Sequence, residues 1–189
     1  MIKEIYIIRH TAVDVDINIC YGQSDVGLAP TYKDEFEVIK AKLPSNEGLL
    51  FYSSPLTRCA KLANYLSEGC FTTDDRLKEI NLGDWEMESW EFIQKNLFNG
   101  WKGEFFNNRS PNGESFMDLY DRCIDFYNEA INNGHKKIAI VGHNGIVRSI
   151  VANVLQMPHH KDFALKLDYG GVSKIEIVGE HQHLMYFNR

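Results

Sequence analysis

The chain has 189 residues and carries 20 Lys or Arg against 26 Asp or Glu, which gives a formal net charge of −6. This length favours one domain spanning residues 1–189, and a hydrophobic fraction of 44% with a charged fraction of 24% is ordinary for a soluble globular protein. The acidic balance argues against a nucleic-acid partner, which needs a basic face, although it allows one local cationic pocket.

The cysteine pattern and the start of the chain bear on the compartment and on membranes. The sequence shows no tripartite secretory signal at its start, and no apolar run approaches the roughly 20 residues that cross a bilayer. The cysteines lack CxxC or other zinc-binding spacing and are Cys20, Cys59, Cys70 and Cys123. We therefore expect reduced thiols in a cytoplasmic protein that has no membrane partner.

Apolar runs without polar alternation predict buried strands, and apolar residues at helical spacing predict helices. In chain order these elements are the strand Ile2–Ile8, the helix Thr31–Lys42, the strand Leu49–Tyr52, the helix Leu56–Leu66, the helix Ser115–Ile131, the strand Lys137–Val141 and the helix Ile146–Leu155. A strand followed by a helix occurs three times. This alternation indicates an α/β fold, a three-layer α/β/α domain with a mainly parallel sheet.

Two further segments complete the predicted domain. The tail has three shorter strand-like pieces separated by glycines, at Phe163–Leu167, Ser173–Val178 and His183–Phe187. We expect them to pair antiparallel at an edge of the sheet. Glu86–Asn112 is rich in Trp, Phe and Asn, and it predicts a short cap excursion over the C-terminal ends of the strands.

Polar residues that can bind a ligand or take part in catalysis follow each predicted strand. Arg9 and His10 follow the first strand, Arg58 comes shortly after the second, and His143 follows the third. In an open α/β sheet, ligands bind outside the carboxyl ends of the strands. We therefore expect two guanidinium groups and two imidazoles to meet at one rim of the sheet.

This cluster is typical of a site for a small-molecule phosphate monoester. Arg9 and Arg58 can grip phosphate oxygens bidentately, His143 can take a third oxygen as an imidazolium, and the N-termini of the helices near Pro55 and Asn144 can add backbone N–H groups. The cations lower the pKa of His10, so its neutral ring can attack phosphorus. Such a site needs no metal and no other cofactor.

A carboxyl group is needed to protonate the departing oxygen. Glu79 lies in a short segment that ends at Gly83, where it could donate a proton to the alkoxide and then take one from attacking water.

Each candidate alone also has an ordinary structural interpretation. Arg58 could be an exposed helix residue, Glu79 a surface carboxylate and His143 a helix cap; only their joint placement at strand ends favours a site. Arg148, one turn into the last helix, is assigned to a structural pairing with a carboxylate. The remaining candidates are the histidine pairs, interpreted as surface turns, and the aromatics, most of them interpreted as packing. These are His159, His160, His181 and His183, and Trp85, Trp90, Trp101, Phe105 and Phe106.

Six motifs occur in order: RHT at 9–11, ICYGQSDVGL at 19–28, YSSPLTR at 52–58, RLKEINLGDWE at 76–86, PNGES at 111–115 and VGHNGIVR at 141–148. Together they resemble the histidine phosphatase superfamily, which has the phosphoglycerate-mutase-like fold. The match runs from Ile5 to about Leu155. The threonine after the RH pair and the CYGQSD loop look most like the alpha-ribazole phosphatase branch, which acts in cobalamin biosynthesis.

The resemblance implies a helix-flanked sheet and a phosphohistidine intermediate. By matching positions, His10 is the nucleophile, Glu79 the acid/base of an E-x-x-x-G pattern, and Arg9, Arg58 and His143 hold the phosphoryl group. Tyr21 and Gly22 fall in the loop that closes over the phosphate. Two positions depart from the family pattern, since Thr11 and Asn144 each replace a usual glycine, and neither change removes a functional group.

The sequence leaves three functions to weigh. The favoured one is a metal-independent phosphomonoesterase acting on alpha-ribazole 5'-phosphate. A mutase-type phosphotransferase or a broad-specificity sugar phosphate phosphatase is the alternative, although mutases usually have a longer cap. A non-catalytic phospho-ligand binding module would be expected to lack His10, Glu79 or an arginine. The oligomeric state stays open, a homodimer included.

Overall fold

The computed structural model describes residues 2–96, 106–158, 161 and 164–189. The strands of this part are β1 (Ile2–Arg9), β2 (Leu49–Ser53), β3 (Phe71–Thr73), β4 (Lys137–Gly142), β5 (Val172–Val178) and β6 (His181–Tyr186). Its α-helices are α1 (Tyr32–Ala41), α2 (Thr57–Ser67), α3 (Trp90–Asn96), α4 (Phe116–Asn132) and α5 (Asn144–Val154).

One sheet contains all six strands, in the order β3-β2-β4-β1-β5-β6. The first four are parallel, while β5 pairs antiparallel with β1 and β6 pairs antiparallel with β5. The register sets Arg9 opposite Gly142 and Ser53 opposite Val141. The C-terminal ends of β1, β2 and β4 therefore lie together at one rim, as the sequence predicted.

Residues of β1 alternate between two hydrophobic cores, one on each face of the sheet. Ile5 and Ile7 pack with residues of α4 and α5, whereas Tyr6 and Ile8 pack with residues of α1 and α2. Full burial of such side chains stabilises a fold by about 1.5–3 kcal/mol each. A sheet with helices packed on both faces is the predicted three-layer α/β/α architecture, which is confirmed.

The structure differs from the predicted elements in several places. Strand β3 was not predicted, because three residues with largely exposed side chains carry no periodicity. The predicted strand Phe163–Leu167 is wrong in its described part, since residues 164–167 contain no strand. Helix α5 begins at Asn144, two residues before the predicted start, and the predicted cap excursion contains the short helix α3.

Several residues that the sequence analysis considered lie outside the described part of the chain. They are Trp101, Phe105, His159, His160 and Phe163. Within the described part, no helix is long and apolar enough to cross a membrane.

Candidate active site

The predicted site residues meet at the C-terminal rim of the sheet. A cavity of about 340 Å³ is lined there by Arg9, His10, Tyr21, Arg58, Glu79 and Asn144, together with other residues of the rim. His143 lies directly behind His10, with the two ring centroids 5.1 Å apart in an edge-to-face arrangement. Residues that are far apart in sequence, such as His10 and Asn144 at a separation of 134 positions, thus share one pocket.

The imidazole of His10 is held in one tautomer. Its Nδ1 lies 2.8 Å from the backbone oxygen of Thr11. Because a carbonyl oxygen can only accept, Nδ1 carries the proton and Nε2 keeps a free lone pair. Burial, assisted by the positive charges of Arg58 and Arg9, holds the pKa of His10 well below its usual value, although the bond to Thr11 opposes this. The ring is therefore neutral and fixed in orientation, with the Nε2 lone pair available.

Arg58 is a buried cation that forms no ion pair in the described part of the chain. It is the second residue of α2 and is fully buried. Its Nη1 donates to the backbone oxygen of Ser24 at 2.9 Å and its Nη2 to that of Gly22 at 2.6 Å, whereas Nε has no partner. A buried charge is costly unless it is paired, so this guanidinium favours binding of an anion.

Arg9 approaches the pocket from the end of β1. Its Nη1 donates to the backbone oxygen of Leu167 at 2.6 Å, and its Nε is buried without a partner. Its guanidinium lies 3.9 Å from the centroid of the Tyr169 ring, within the range of a cation–π contact. Arg9 and Arg58 therefore each have a buried Nε–H group without a partner.

His143 is buried between Ser54, Cys59 and His10. Its Nε2 lies 2.8 Å from Ser54 Oγ and 3.4 Å from Cys59 Sγ. Burial, followed by the charges of His10 and the arginines, holds the pKa of His143 well below its usual value. The expected imidazolium is therefore disfavoured unless a bound anion stabilises it.

Glu79 faces the pocket from the segment between two short 3₁₀ turns. Its Oε2 accepts from the backbone N–H of Gly145 at 3.1 Å and its Oε1 from that of Ile80 at 3.0 Å. Its backbone oxygen accepts from Gln23 Nε2 and from Arg122 Nη2, both at 2.9 Å. The carboxylate is thus fixed against the N-terminus of α5, on the wall that it shares with His10.

Each of the two helix N-termini that the sequence assigned to anion binding has a backbone N–H bonded to a carboxylate. At α2, the Asp25 carboxylate accepts from the backbone N–H and the hydroxyl of Thr57. The backbone N–H of Thr57 is therefore already bonded to a carboxylate, and phosphate binding at this helix start stays a prediction. At α5, the Glu79 carboxylate accepts from the backbone N–H of Gly145, and Asn144 lines the pocket. Phosphate binding at this end stays a prediction.

Glu86 is a positioning residue that the sequence reasoning missed. It accepts from the backbone N–H groups of Gly22, Gln23 and Ser24 at 2.9, 2.7 and 3.1 Å. Burial opposes its ionisation, but the bonds from the Ser24 hydroxyl and the backbone N–H groups outweigh burial and lower its pKa. The same loop gives its carbonyls to Arg58, so Glu86 positions that guanidinium through the loop. Glu86 ends the GDWE motif, but nothing in the motif indicated this role.

Gly22 belongs to this loop for a steric reason. A Cβ there would lie 2.0 Å from the backbone oxygen of Ile80. Tyr21 lines the cavity and the backbone oxygen of Gly22 accepts from Arg58, while the closing of their loop over a phosphate stays a prediction. Tyr21 lies 5.5 Å from the Arg58 guanidinium, measured to its ring centroid.

Tyr169 is a second residue that the sequence did not indicate. Its hydroxyl lies 2.8 Å from the Tyr21 hydroxyl, so the two rings that cover the two arginines are linked. The turn that carries Tyr169 is joined to the end of β1 by the bonds Arg9 N–H to Gly171 and Gly170 N–H to His10. This placement depends on sheet pairing, which no local motif reveals.

The remaining candidates have structural environments. Trp85 is 1% exposed, which confirms packing, whereas Trp90 is 38% exposed and lines the cavity. Arg148 donates to the backbone oxygen of Leu165 at 3.1 Å. His181 and His183 lie on β6 with ring centroids 6.5 Å apart. Within the described residues, no three His, Cys, Asp or Glu side chains are grouped so that they could hold a metal ion.

Three proteins of similar sequence or fold are named as phosphatases. The chain is 26% identical to a Hydrogenobacter thermophilus protein named for phosphoserine phosphatase activity, over 99% of this chain and 96% of that protein. It is 24% identical to the adenosylcobalamin/alpha-ribazole phosphatase of Escherichia coli, over 92% of this chain and 89% of that enzyme. The native structure of mycobacterial glucosyl-3-phosphoglycerate phosphatase matches with a TM-score of 0.83 and 21% identity, covering 100% of this chain and 99% of that one.

The sequence model of the histidine phosphatase superfamily (branch 1) matches residues 5–189, which is nearly the whole chain. The six ordered motifs, the mixed sheet and the match to this model agree. The chain therefore belongs to branch 1 of the histidine phosphatase superfamily.

Proposed function

We propose that this protein is a metal-independent phosphomonoesterase that acts through a phosphohistidine on His10. The observation that carries the proposal is the buried Arg58, which has no carboxylate partner in the described structure and lines the same cavity as the neutral ring of His10. A phosphate dianion supplies the missing negative charge and brings phosphorus to the free Nε2 of His10.

The reaction takes two displacements at phosphorus. In the first, Nε2 of His10 forms a bond to phosphorus, the bond to the ester oxygen breaks, and the carboxyl group of Glu79 donates its proton to the departing alkoxide. In the second, water attacks the phosphohistidine, Glu79 takes the water proton, and the P–N bond breaks to release phosphate. Arg9, Arg58 and His143 hold the other phosphoryl oxygens throughout.

Hydrolysis is favoured over mutase-type transfer by the relatives reported above, which are named as phosphatases. Their names differ in substrate, so the substrate is a proposal of its own. We propose alpha-ribazole 5'-phosphate, supported by the CYGQSD loop and by the similarity to the Escherichia coli enzyme. Its flat benzimidazole could stack on Tyr21 or Trp90, which line the pocket; Trp85 is too deeply buried for this. Such an aromatic pair contributes about 0.5–1.5 kcal/mol beyond its buried area.

The reaction and the substrate are tested separately. The wild-type protein should form an acid-labile, base-stable phosphoryl label that His10→Ala abolishes together with turnover; a label retained at another residue would contradict the mechanism. For the substrate, kcat/KM is measured for alpha-ribazole 5'-phosphate, phosphoserine, sugar phosphates and 3-phosphoglycerate. An advantage of tenfold or more for one of the others, about 1.4 kcal/mol in transition-state binding, would reject the ribazole assignment and leave the phosphatase assignment intact.

A further inference from the structure

The pocket is lined in part by a segment that contains none of the residues proposed to hold the phosphate. We define the outer wall as the segment 13–19 together with Trp90. Its apolar side chains that line the cavity are Val13, Val15, Ile17, Ile19 and Trp90, and its charged one is Asp16. We infer that this wall selects phosphate monoesters whose leaving group is apolar and lacks a carboxylate, and that Asp16 disfavours carboxylate-bearing substrates. This inference rests on the proposed phosphatase activity.

The outer wall is anchored at both ends of the segment. Val13 forms a bridge with Leu28, and Ile19 forms one with Ser89. The backbone N–H of Trp90 donates to the oxygen of Asn18 at 2.9 Å, which joins the segment to α3. The wall is therefore a built surface of the pocket, with its side chains presented to whatever the phosphate carries.

Without a ligand, apolar side chains of the wall are exposed to water. Ile17 is 91% exposed and Trp90 is 38% exposed, although both line the cavity. A leaving group with a flat or aliphatic surface would remove this area from water, and a strongly hydrated group would gain nothing from it. The wall thus favours substrates whose leaving group covers its apolar side chains.

Asp16 presents a fixed negative charge at the same place. One of its carboxylate oxygens accepts from the backbone N–H and the side-chain amide of Asn18, at 2.8 and 2.9 Å, which sets its orientation. Asp16 forms no ion pair with a described residue. The cationic side chains that line the cavity are Arg9 and Arg58, which the phosphate itself requires.

A carboxylate on the leaving group is therefore repelled by Asp16, and no further cationic side chain in the described part of the pocket offsets this repulsion. Phosphoserine, 3-phosphoglycerate and glucosyl-3-phosphoglycerate all carry a carboxylate on the leaving group, whereas alpha-ribazole does not. Two substrates isolate this difference, since 3-phosphoglycerate has a carboxylate where glycerol 3-phosphate has a hydroxymethyl group. The ratio of their kcat/KM values measures the discrimination directly.

The charge test compares Asp16→Asn with the matched control Asp14→Asn, an exposed carboxylate of the same segment that does not line the cavity. Asp16→Asn should raise the ratio of kcat/KM for 3-phosphoglycerate to kcat/KM for glycerol 3-phosphate by about threefold to tenfold, the factor expected for removing one charge at a wet pocket mouth. The gain should disappear near 1 M salt, where the screening length is about 3 Å. Asp14→Asn should change neither substrate.

The apolar test uses phenyl phosphate against glycerol 3-phosphate in Ile17→Ser, with Ile2→Ser as a control at another exposed isoleucine. Ile17→Ser should lower the ratio of kcat/KM for phenyl phosphate to kcat/KM for glycerol 3-phosphate several-fold, and Ile2→Ser should leave this ratio unchanged. An equal ratio of kcat/KM for 3-phosphoglycerate to glycerol 3-phosphate in the wild type and in Asp16→Asn would overturn the inference. Hydrolysis of phenyl phosphate through His10 would still support the proposed function in that case. A wild-type protein that hydrolyses none of these esters would overturn both.

Discussion

Gly145 offers a way to move the proposed acid by a known distance without removing it. Its backbone N–H donates to Glu79 Oε2 at 3.1 Å, and a Cβ added at Gly145 would lie 2.4 Å from Glu79 Oε1 and 2.5 Å from Leu119 Cδ2. Ordinary contacts begin at 3.4 Å. In Gly145→Ala the carboxylate must therefore retreat by about 1 Å from its position beside His10.

The expected loss follows from this displacement. A misplacement of about 1 Å can lower a rate by about 10²-fold. Gly145→Ala should thus lower kcat for glycerol 3-phosphate by about 10²-fold, while Glu79→Gln should lower it by about 10²–10⁴-fold. Both variants should lose far less on p-nitrophenyl phosphate, because its phenolate leaves without a proton. Alanine favours a helix over glycine by up to about 1 kcal/mol, so α5 itself is not weakened.

The assay is steady-state kcat on both substrates, together with thermal unfolding to detect any cost of the contact with Leu119. Gly27→Ala is the matched control, since a Cβ there meets no atom within 4 Å and Gly27 lies away from the pocket lining. Equal losses on both substrates would refute the proton-transfer role of Glu79. Full activity of Gly145→Ala on glycerol 3-phosphate would refute the positional argument.

Three further predictions concern the charges of the site. Inorganic phosphate should raise the Tm of the wild-type protein but not of Arg58→Met; equal shifts would show that Arg58 does not hold the anion. The pKa values of His10 and His143 are lowered in the folded protein. Below about pH 6.5 the unfolded chain therefore binds protons at these histidines that the folded protein does not bind. The free energy of unfolding should then fall by up to about 1.4 kcal/mol per pH unit for each histidine as the pH is lowered. Denaturant unfolding at pH 7 and pH 5 measures this fall in the free energy of unfolding. The fall should be smaller in His10→Gln and unchanged in the exposed control His135→Gln. An equal reduction in both variants would refute the assignment to His10. EDTA should leave kcat unchanged, and activity lost in EDTA and restored by a metal would contradict the proposed chemistry.

The sequence predicts the central sheet and the site residues because both depend on short local patterns. The apolar run of β1 has side chains for a core on each face, and Arg9 and His10 follow where the apolar run stops. Once the strands are parallel, their ends must share a rim. The convergence of Arg9, His10, Arg58 and His143 therefore follows from topology alone.

The features that were missed depend on contacts between distant segments. Strand β3 is a strand because β2 offers it an edge, not because of its own three residues. Tyr169 reaches Arg9 through a turn fixed to the end of β1, and Glu86 acts on Arg58 through the amides of another loop. A carboxylate that binds backbone N–H groups has the same local sequence as one in water, so only the folded structure distinguishes them.

The carboxylates around the pocket are bound in a way that keeps the arginines free. Glu86 accepts from the amides of the 22–24 loop and Asp25 from the start of α2, so neither forms an ion pair with Arg58. If either carboxylate turned to that guanidinium, it would neutralise the anion site. It would also weaken the positive field that keeps His10 neutral, since Arg58 follows burial among the causes of its lowered pKa. In the proposed mechanism, one arrangement of charges therefore serves both phosphate binding and the nucleophilicity of His10, and a substitution that frees Glu86 from the loop would impair both at once.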